Sequence, residues 1–162
     1  MSFTEGSYEK ALIALFENLG YQHQYGPNIE RDYYVPFYEE QLIKSLTTIN
    51  YGKPRPAIDE AISKLKDIEI GSLPQKNELF MDYLQHGIEV SFFDGKEQRN
   101  DIIYLIDYND KNIKRNDFKV INQWTFVENS EKRADIILFV NGLPLVVIEL
   151  KSPSREETNV SE

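Results

Sequence analysis

The residue pattern predicts an α+β fold: a central, mainly antiparallel β-sheet flanked by helices. Three observations lead there. Helical periodicity dominates up to residue 87, short runs of β-branched and aromatic residues dominate after it, and turn clusters such as "DGK", "NDKN" and "NG" separate those runs. A chain of 162 residues, 41% hydrophobic and 28% charged, suits one globular domain spanning 1–162.

The first element is "SYEKALIALFENLG", with Tyr8, Leu12, Leu15, Phe16 and Leu19 at helical spacing, Ser7 as cap and Gly20 as stop. Glu9 lies at the border of that stripe, in line with Ile13 and Phe16, where an acid also suits the helix dipole. "RDYYVPFYEEQLIKSLTTIN" reads as an aromatic entry to a helix with Tyr38, Leu42, Leu46 and Ile49 inward. "PRPAIDEAISKLKDI" is a helix with Pro56 at its start and Ile58, Ala61, Ile62 and Leu65 on one face. "PQKNELFMDYLQHG" is another, closed by Gly87. The strands follow: "IEVSFFDG", "DIIYLIDY", "FKVINQWTFVE", "ADIILFV" and "PLVVIELK". Residues 154–162 read as a frayed or truncated tail.

Composition narrows the chemistry. Cysteine is absent, and His23 and His86 are too far apart in sequence to suggest a local metal site, so disulfide, thiol and Cys-type zinc sites are excluded. No apolar run approaches the roughly 20 residues of a membrane span, and "MSFTEGSYEK" carries no export signal, so no membrane is expected and cytoplasm is the expected location. A net charge of −9 argues against a stand-alone nucleic-acid binder. It leaves room for carboxylates gathered around a divalent cation.

The stretch "ADIILFVNGLPLVVIELKSP" raises the central question, because it brackets an apolar hairpin with Asp135 on one side and Glu149 and Lys151 on the other. Charge in such a run must be paired or bound to a metal. On a strand Glu149 and Lys151 share a face. If Val140 opposes Pro144 across a three-residue "NGL" turn, Asp135 joins them; if Val140 opposes Leu145, it does not without a bulge. Two carboxylates and an ammonium at one point select a hard ion, Mg²⁺ or Mn²⁺, and suit phosphodiester hydrolysis. Taken one at a time, the three are ordinary strand-end charges.

These residues resemble the PD-(D/E)xK nuclease motif, with Asp135, Glu149 and Lys151 in its signature positions. More narrowly, "NQWTFVENSEKRADIILFVNGLPLVVIELKSP" resembles the amino-terminal nuclease domain of the restriction (R) subunit of type I restriction-modification enzymes. The likeness extends to "YEKALIALFENLGY" and, more weakly, to "ERDYYVPFYEEQLIKSL". It implies a restriction-endonuclease-like fold, Mg²⁺- or Mn²⁺-dependent cleavage of double-stranded DNA, and ATP used only by motor domains outside this chain. It implies methylation and specificity subunits as partners. It also implies an acid from the first helix at the metal, which is Glu9, with Glu5 as its rival. Ala134 stands where the family commonly has Pro, and the family's Gln-xxx-Tyr helix lies beyond residue 162, so the chain reads as a fragment of a larger subunit. Two other readings share the fold: a non-catalytic docking module, and a nuclease of the same superfamily in repair or mobile elements. Trp124 with Phe126 offers a base-stacking surface or core packing, and Lys53 and Arg55 of "KPRP" offer phosphate contacts or a solvated loop.

Overall fold

The chain runs α1 (Glu5–Asn18), β1 (Gln22–Tyr25), α2 (Glu39–Ile49), α3 (Arg55–Lys66), α4 (Leu73–His86), β2 (Ile88–Phe93), β3 (Gln98–Ile103), β4 (Phe118–Val127), β5 (Glu131–Val140) and β6 (Leu143–Ile148), with short 3₁₀ turns at Gly26–Asn28 and Asp110–Arg115. The computed structural model describes residues 4–68 and 72–151; the tail expected over 154–162 lies outside them. The fold is α+β, with a four-stranded sheet ordered β1-β4-β5-β6 and a two-stranded sheet of β2 and β3. Residues cluster into two compact units, one of 1–36, 118–139 and 144–162, the other of 37–117 and 140–143.

In the first unit, α1 starts ahead of the expected Ser7 cap. The Thr4 hydroxyl accepts from the Ser7 N–H and the Ser7 hydroxyl accepts from the Thr4 N–H at 2.9 Å, a reciprocal box that satisfies two otherwise orphan donors. The inward face of α1 is narrower than its apolar stripe: Ile13 is buried, with Leu12 and Phe16 packed beside it, while Leu15 and Leu19 stay exposed. Ile13 meets Val120, Ile136 and Leu138 of the sheet, and each such burial contributes roughly 1.5–3 kcal/mol.

The sequence did not announce β1. "QHQY" is short and polar, and becomes a strand by pairing parallel to β4, Gln22 opposite Lys119 through Tyr25 opposite Asn122. The sheet is thus mixed. Three residues join β4 to β5 and two join β5 to β6, lengths that antiparallel neighbours allow and parallel ones do not.

In the second unit, α2 buries the predicted Leu42 and Leu46 and also Ser45, leaving Tyr38 and Ile49 half-buried, and α3 buries the predicted Ile58, Ala61, Ile62 and Leu65 and also Ala57. Gly87, at φ +80, ends α4. β2 alternates buried and exposed residues and pairs antiparallel with β3, Phe93 opposite Gln98. β3 therefore starts before the "DIIYLIDY" run and ends at Ile103. Asn50 explains the stop: its side chain accepts from the Tyr104 N–H and donates to the Tyr104 carbonyl, both at 2.8 Å, taking the groups that would have continued the ladder. Among the described residues no helix is long and apolar enough to cross a membrane.

Candidate active site

The hairpin that carries Asp135 and Glu149 turns more tightly than the sequence suggested. Asn141 (φ +54) and Gly142 (φ +84) form a two-residue connection, both in the left-handed region that such tight hairpins demand. This corrects the three-residue "NGL" turn. The cause is Asn141, which is fully buried: its amide donates to Leu105 O at 2.8 Å and to Asn116 Oδ1 at 2.9 Å, and its Oδ1 accepts from the Asp117 N–H at 2.8 Å.

From that turn, counting alone would set Asp135 opposite Ile148. The side chains say otherwise further along, since Ile148 and Leu150 pack with Ile136 and Leu138. Even-numbered residues of both segments thus share a face near this end. Val146 and Val147, neighbours that are both exposed, break the alternation in between, as a bulge would. β6 then ends at Ile148, so Glu149 and Lys151 lie past the strand rather than on it, where alternation no longer binds them.

The two carboxylates nonetheless meet. Asp135 is half-buried, and its Oδ2 accepts from the Leu150 N–H at 2.7 Å, which ties it to the Glu149 segment. Glu149 is exposed, yet its carboxyl is held above the usual carboxylate range by desolvation first, then by the Asp135 charge and by a hydrogen bond that protonated Glu149 donates to Asp135. Lys151 is exposed and, among the described residues, makes no ion pair with either acid. The structure thus brings Asp135 and Glu149 together and leaves Lys151 open to solvent beside them in sequence.

Glu9 has its own surroundings. It is half-buried on the Ile13 and Phe16 line of α1, while Glu5 is exposed in the first turn. Asn122 Nδ2 donates to Glu9 Oε1 at 2.5 Å and Gln123 Nε2 donates to Glu9 Oε2 at 2.7 Å. His23 Nε2 lies 2.8 Å from Asn122 Oδ1, and with the Asn122 amide nitrogen spent on Glu9 the histidine is the donor. The sequence reading gave Asn122 and Gln123 no role. Neighbouring residues on a strand point to opposite faces, so nothing in "NQ" announced a shared target.

Among the described residues no three His, Asp or Glu side chains gather closely enough to hold a metal ion. Asp135 and Glu149 could serve as a two-carboxylate donor set for Mg²⁺ or Mn²⁺, which bind through one or two carboxylates and keep water or phosphate oxygens for the rest. Desolvation raises Glu149 first and the Asp135 charge second, and a cation between the two acids would relieve the second.

The other candidates resolve in favour of packing. Trp124 is buried against Phe139, ring centroids 4.7 Å apart, and the Arg31 guanidinium lies 3.4 Å from its ring centroid. Arg31 also donates to the Thr125 carbonyl, and burial lowers its pKa. Lys53 pairs with Asp101 at 2.5 Å and Arg55 with Asp59 at 2.6 Å, so "KPRP" is committed to ion pairs.

Comparison with known proteins relates the sequence of this chain to one family. Residues 2–162 match the family model described as type I restriction enzyme R protein N terminus. The chain is 29% identical to the type I restriction enzyme HindI endonuclease subunit of Haemophilus influenzae over 96% of its own length and 16% of that protein's. It is 31% identical to the EcoprrI endonuclease subunit of Escherichia coli, over 91% of the chain and 44% of the relative. A putative MjaIXP endonuclease subunit of Methanocaldococcus jannaschii is 28% identical over 93% of the chain and 15% of its own length. The chain thus spans less than half of each of these relatives. With α+β architecture and a match over nearly its whole length, the chain belongs to the type I restriction enzyme R protein N-terminal family.

Proposed function

We propose that this chain is the endonuclease module of a type I restriction R subunit and hydrolyses phosphodiester bonds of double-stranded DNA. The observation that carries the reading is the meeting of Asp135 and Glu149, two carboxylates held together at the end of an apolar hairpin in a chain of this family. Asp135 and Glu149 would hold Mg²⁺ or Mn²⁺, which would supply Lewis-acid stabilisation of phosphoryl charge. Asp135 stays fixed by the Leu150 N–H and so presents its remaining lone pairs in one direction. Lys151, exposed and unpaired with the acids, donates to a phosphate oxygen and stabilises charge there.

The relatives' names, all endonuclease subunits, support the reaction class. In this reading ATP acts through motor domains that lie outside the chain, and methylation and specificity subunits choose the site. The whole acts in the cytoplasm. The test is Mg²⁺-dependent cleavage of plasmid by the R subunit carrying this module. Asp135→Ala and Lys151→Ala should each lower the cleavage rate by at least about a hundredfold while ATP hydrolysis persists. Cleavage retained in both variants rejects the assignment and favours a docking module.

A further inference from the structure

The helix α1 is apolar on more of its surface than the sheet uses. Ile13 is buried, with Leu12 and Phe16 packed beside it, and that line meets Val120, Ile136 and Leu138. Leu15 and Leu19, four residues apart and so on one face, project from another side of the helix and are 51% and 66% exposed. Ala11, Ala14 and Asn18 surround them and are exposed as well. This outer patch carries no charge in a chain that is 28% charged; the exposed Lys10 and Glu17 lie on the far side of the helix. A single exposed leucine is ordinary. Two leucines at helical spacing, bordered by small side chains that let a neighbour come close, make a packing surface.

Its size and its position say what covers it. Five residues fall far short of the roughly 20–30 residues a side, about 800 Å² per partner, that a stable complex between free proteins buries. The occupant is therefore tethered, since a segment of the same polypeptide binds at high effective concentration and needs less area. The tether begins close by: Leu150 packs in the same cluster as Ile13, Leu12 and Phe16, so the chain leaves β6 beside α1. Residues 152–162, "SPSREETNVSE", hold Val160 as their one aliphatic side chain besides a proline, too little to bury two leucines. The matched family describes an amino-terminal region, and the relatives run well beyond it.

We infer that, in an R subunit carrying this chain, the outer face of α1 around Leu15 and Leu19 is the docking site for an amphipathic segment of the polypeptide that follows residue 162. The inference rests on the proposed reading of the chain as a module of an R subunit, and not on cleavage. Docked there, the rest of the subunit holds the module through the helix that packs on β4 and on β5, the strand of Asp135.

The test is maleimide labelling of single cysteines, which this chain lacks. Leu19→Cys, and Glu17→Cys as the control on the far side of α1, are placed in the R subunit and in the isolated chain. Labelling is read by mass spectrometry on the tryptic peptide of residues 11–31, which holds both positions. Rates in urea give the fully exposed reference. In the folded R subunit Leu19→Cys should react at least about tenfold more slowly than in urea, because labelling then waits on local opening, while Glu17→Cys reacts nearly as fast as in urea. In the isolated chain both should react at the exposed rate. Fast labelling of Leu19→Cys in the R subunit overturns the inference, as does equal slowing of both cysteines, which reports general occlusion. Slow labelling of Leu19→Cys in the isolated chain overturns it too, since the cover then lies within the chain or in a second copy. Slowing only after methylation and specificity subunits are added gives the surface to those subunits and overturns it likewise. Cleavage is not the readout, so each of these failures leaves the assignment of Asp135 to be judged by its own variant.

Discussion

At Glu149, local desolvation and the neighbouring Asp135 charge favour the protonated carboxyl in the folded chain. A folded state that binds this proton more tightly than the unfolded one has its full stability below the ordinary carboxylate range and loses some of it as pH rises through the raised value. Glu149→Gln removes the repulsion. In EDTA the variant should therefore melt above wild type at neutral pH, with the gap closing in acid, as thermal scans across pH will show. Adding Mn²⁺ should raise the Tm of wild type and leave that of Glu149→Gln nearly unmoved, because a cation bound only by the folded state stabilises it in proportion to its affinity. The residue types at this site were legible, since Asp135 and Glu149 stand out against an apolar hairpin. The pair of amides on Glu9 was not, because adjacency in "NQ" argues against a shared target until the backbone at Gln123 is seen to be left-handed (φ +56).

Among the elements, the β5–β6 turn decides most. Asn141 combines a left-handed backbone with three side-chain hydrogen bonds in a buried position. Asn141→Ala strands those partners and strains the turn, at a combined cost of about 3–4 kcal/mol. Asn141→Gly, free of the backbone strain, should cost about 1 kcal/mol less. Urea midpoints at constant slope measure both. Element types were readable wherever one face is apolar: α2, α3 and β2 appear where periodicity put them. The misses have a common cause. β1 is polar, and β3 is cut short by Asn50; each boundary is set by a partner distant in sequence.

For the chain as a whole, the net charge of −9 opposes binding to duplex DNA by the chain alone. Affinity for duplex DNA comes mainly from cations released off phosphates, and several cations here are already committed, Lys53 to Asp101, Arg55 to Asp59 and Lys66 to Glu39. The chain alone should leave a duplex unshifted in gels at micromolar concentration and physiological salt, whereas the R subunit that carries it should shift it. Tight binding by the chain alone would mean that the basic footprint lies within it after all.

Fold class, the main inward residues of α2 and α3, and the prominence of Asp135 and Glu149 follow from periodicity and composition, which are local properties carried by neighbouring residues. The turn length, the route by which Asp135 reaches the Glu149 segment, and the gathering of Asn122 and Gln123 on Glu9 depend on contacts between residues far apart in the chain. Left-handed backbone at Gln123 and Asn141 is locally unfavourable. Only packing and hydrogen bonds supplied from elsewhere in the fold make it the stable choice, so it appears with the tertiary structure and not before.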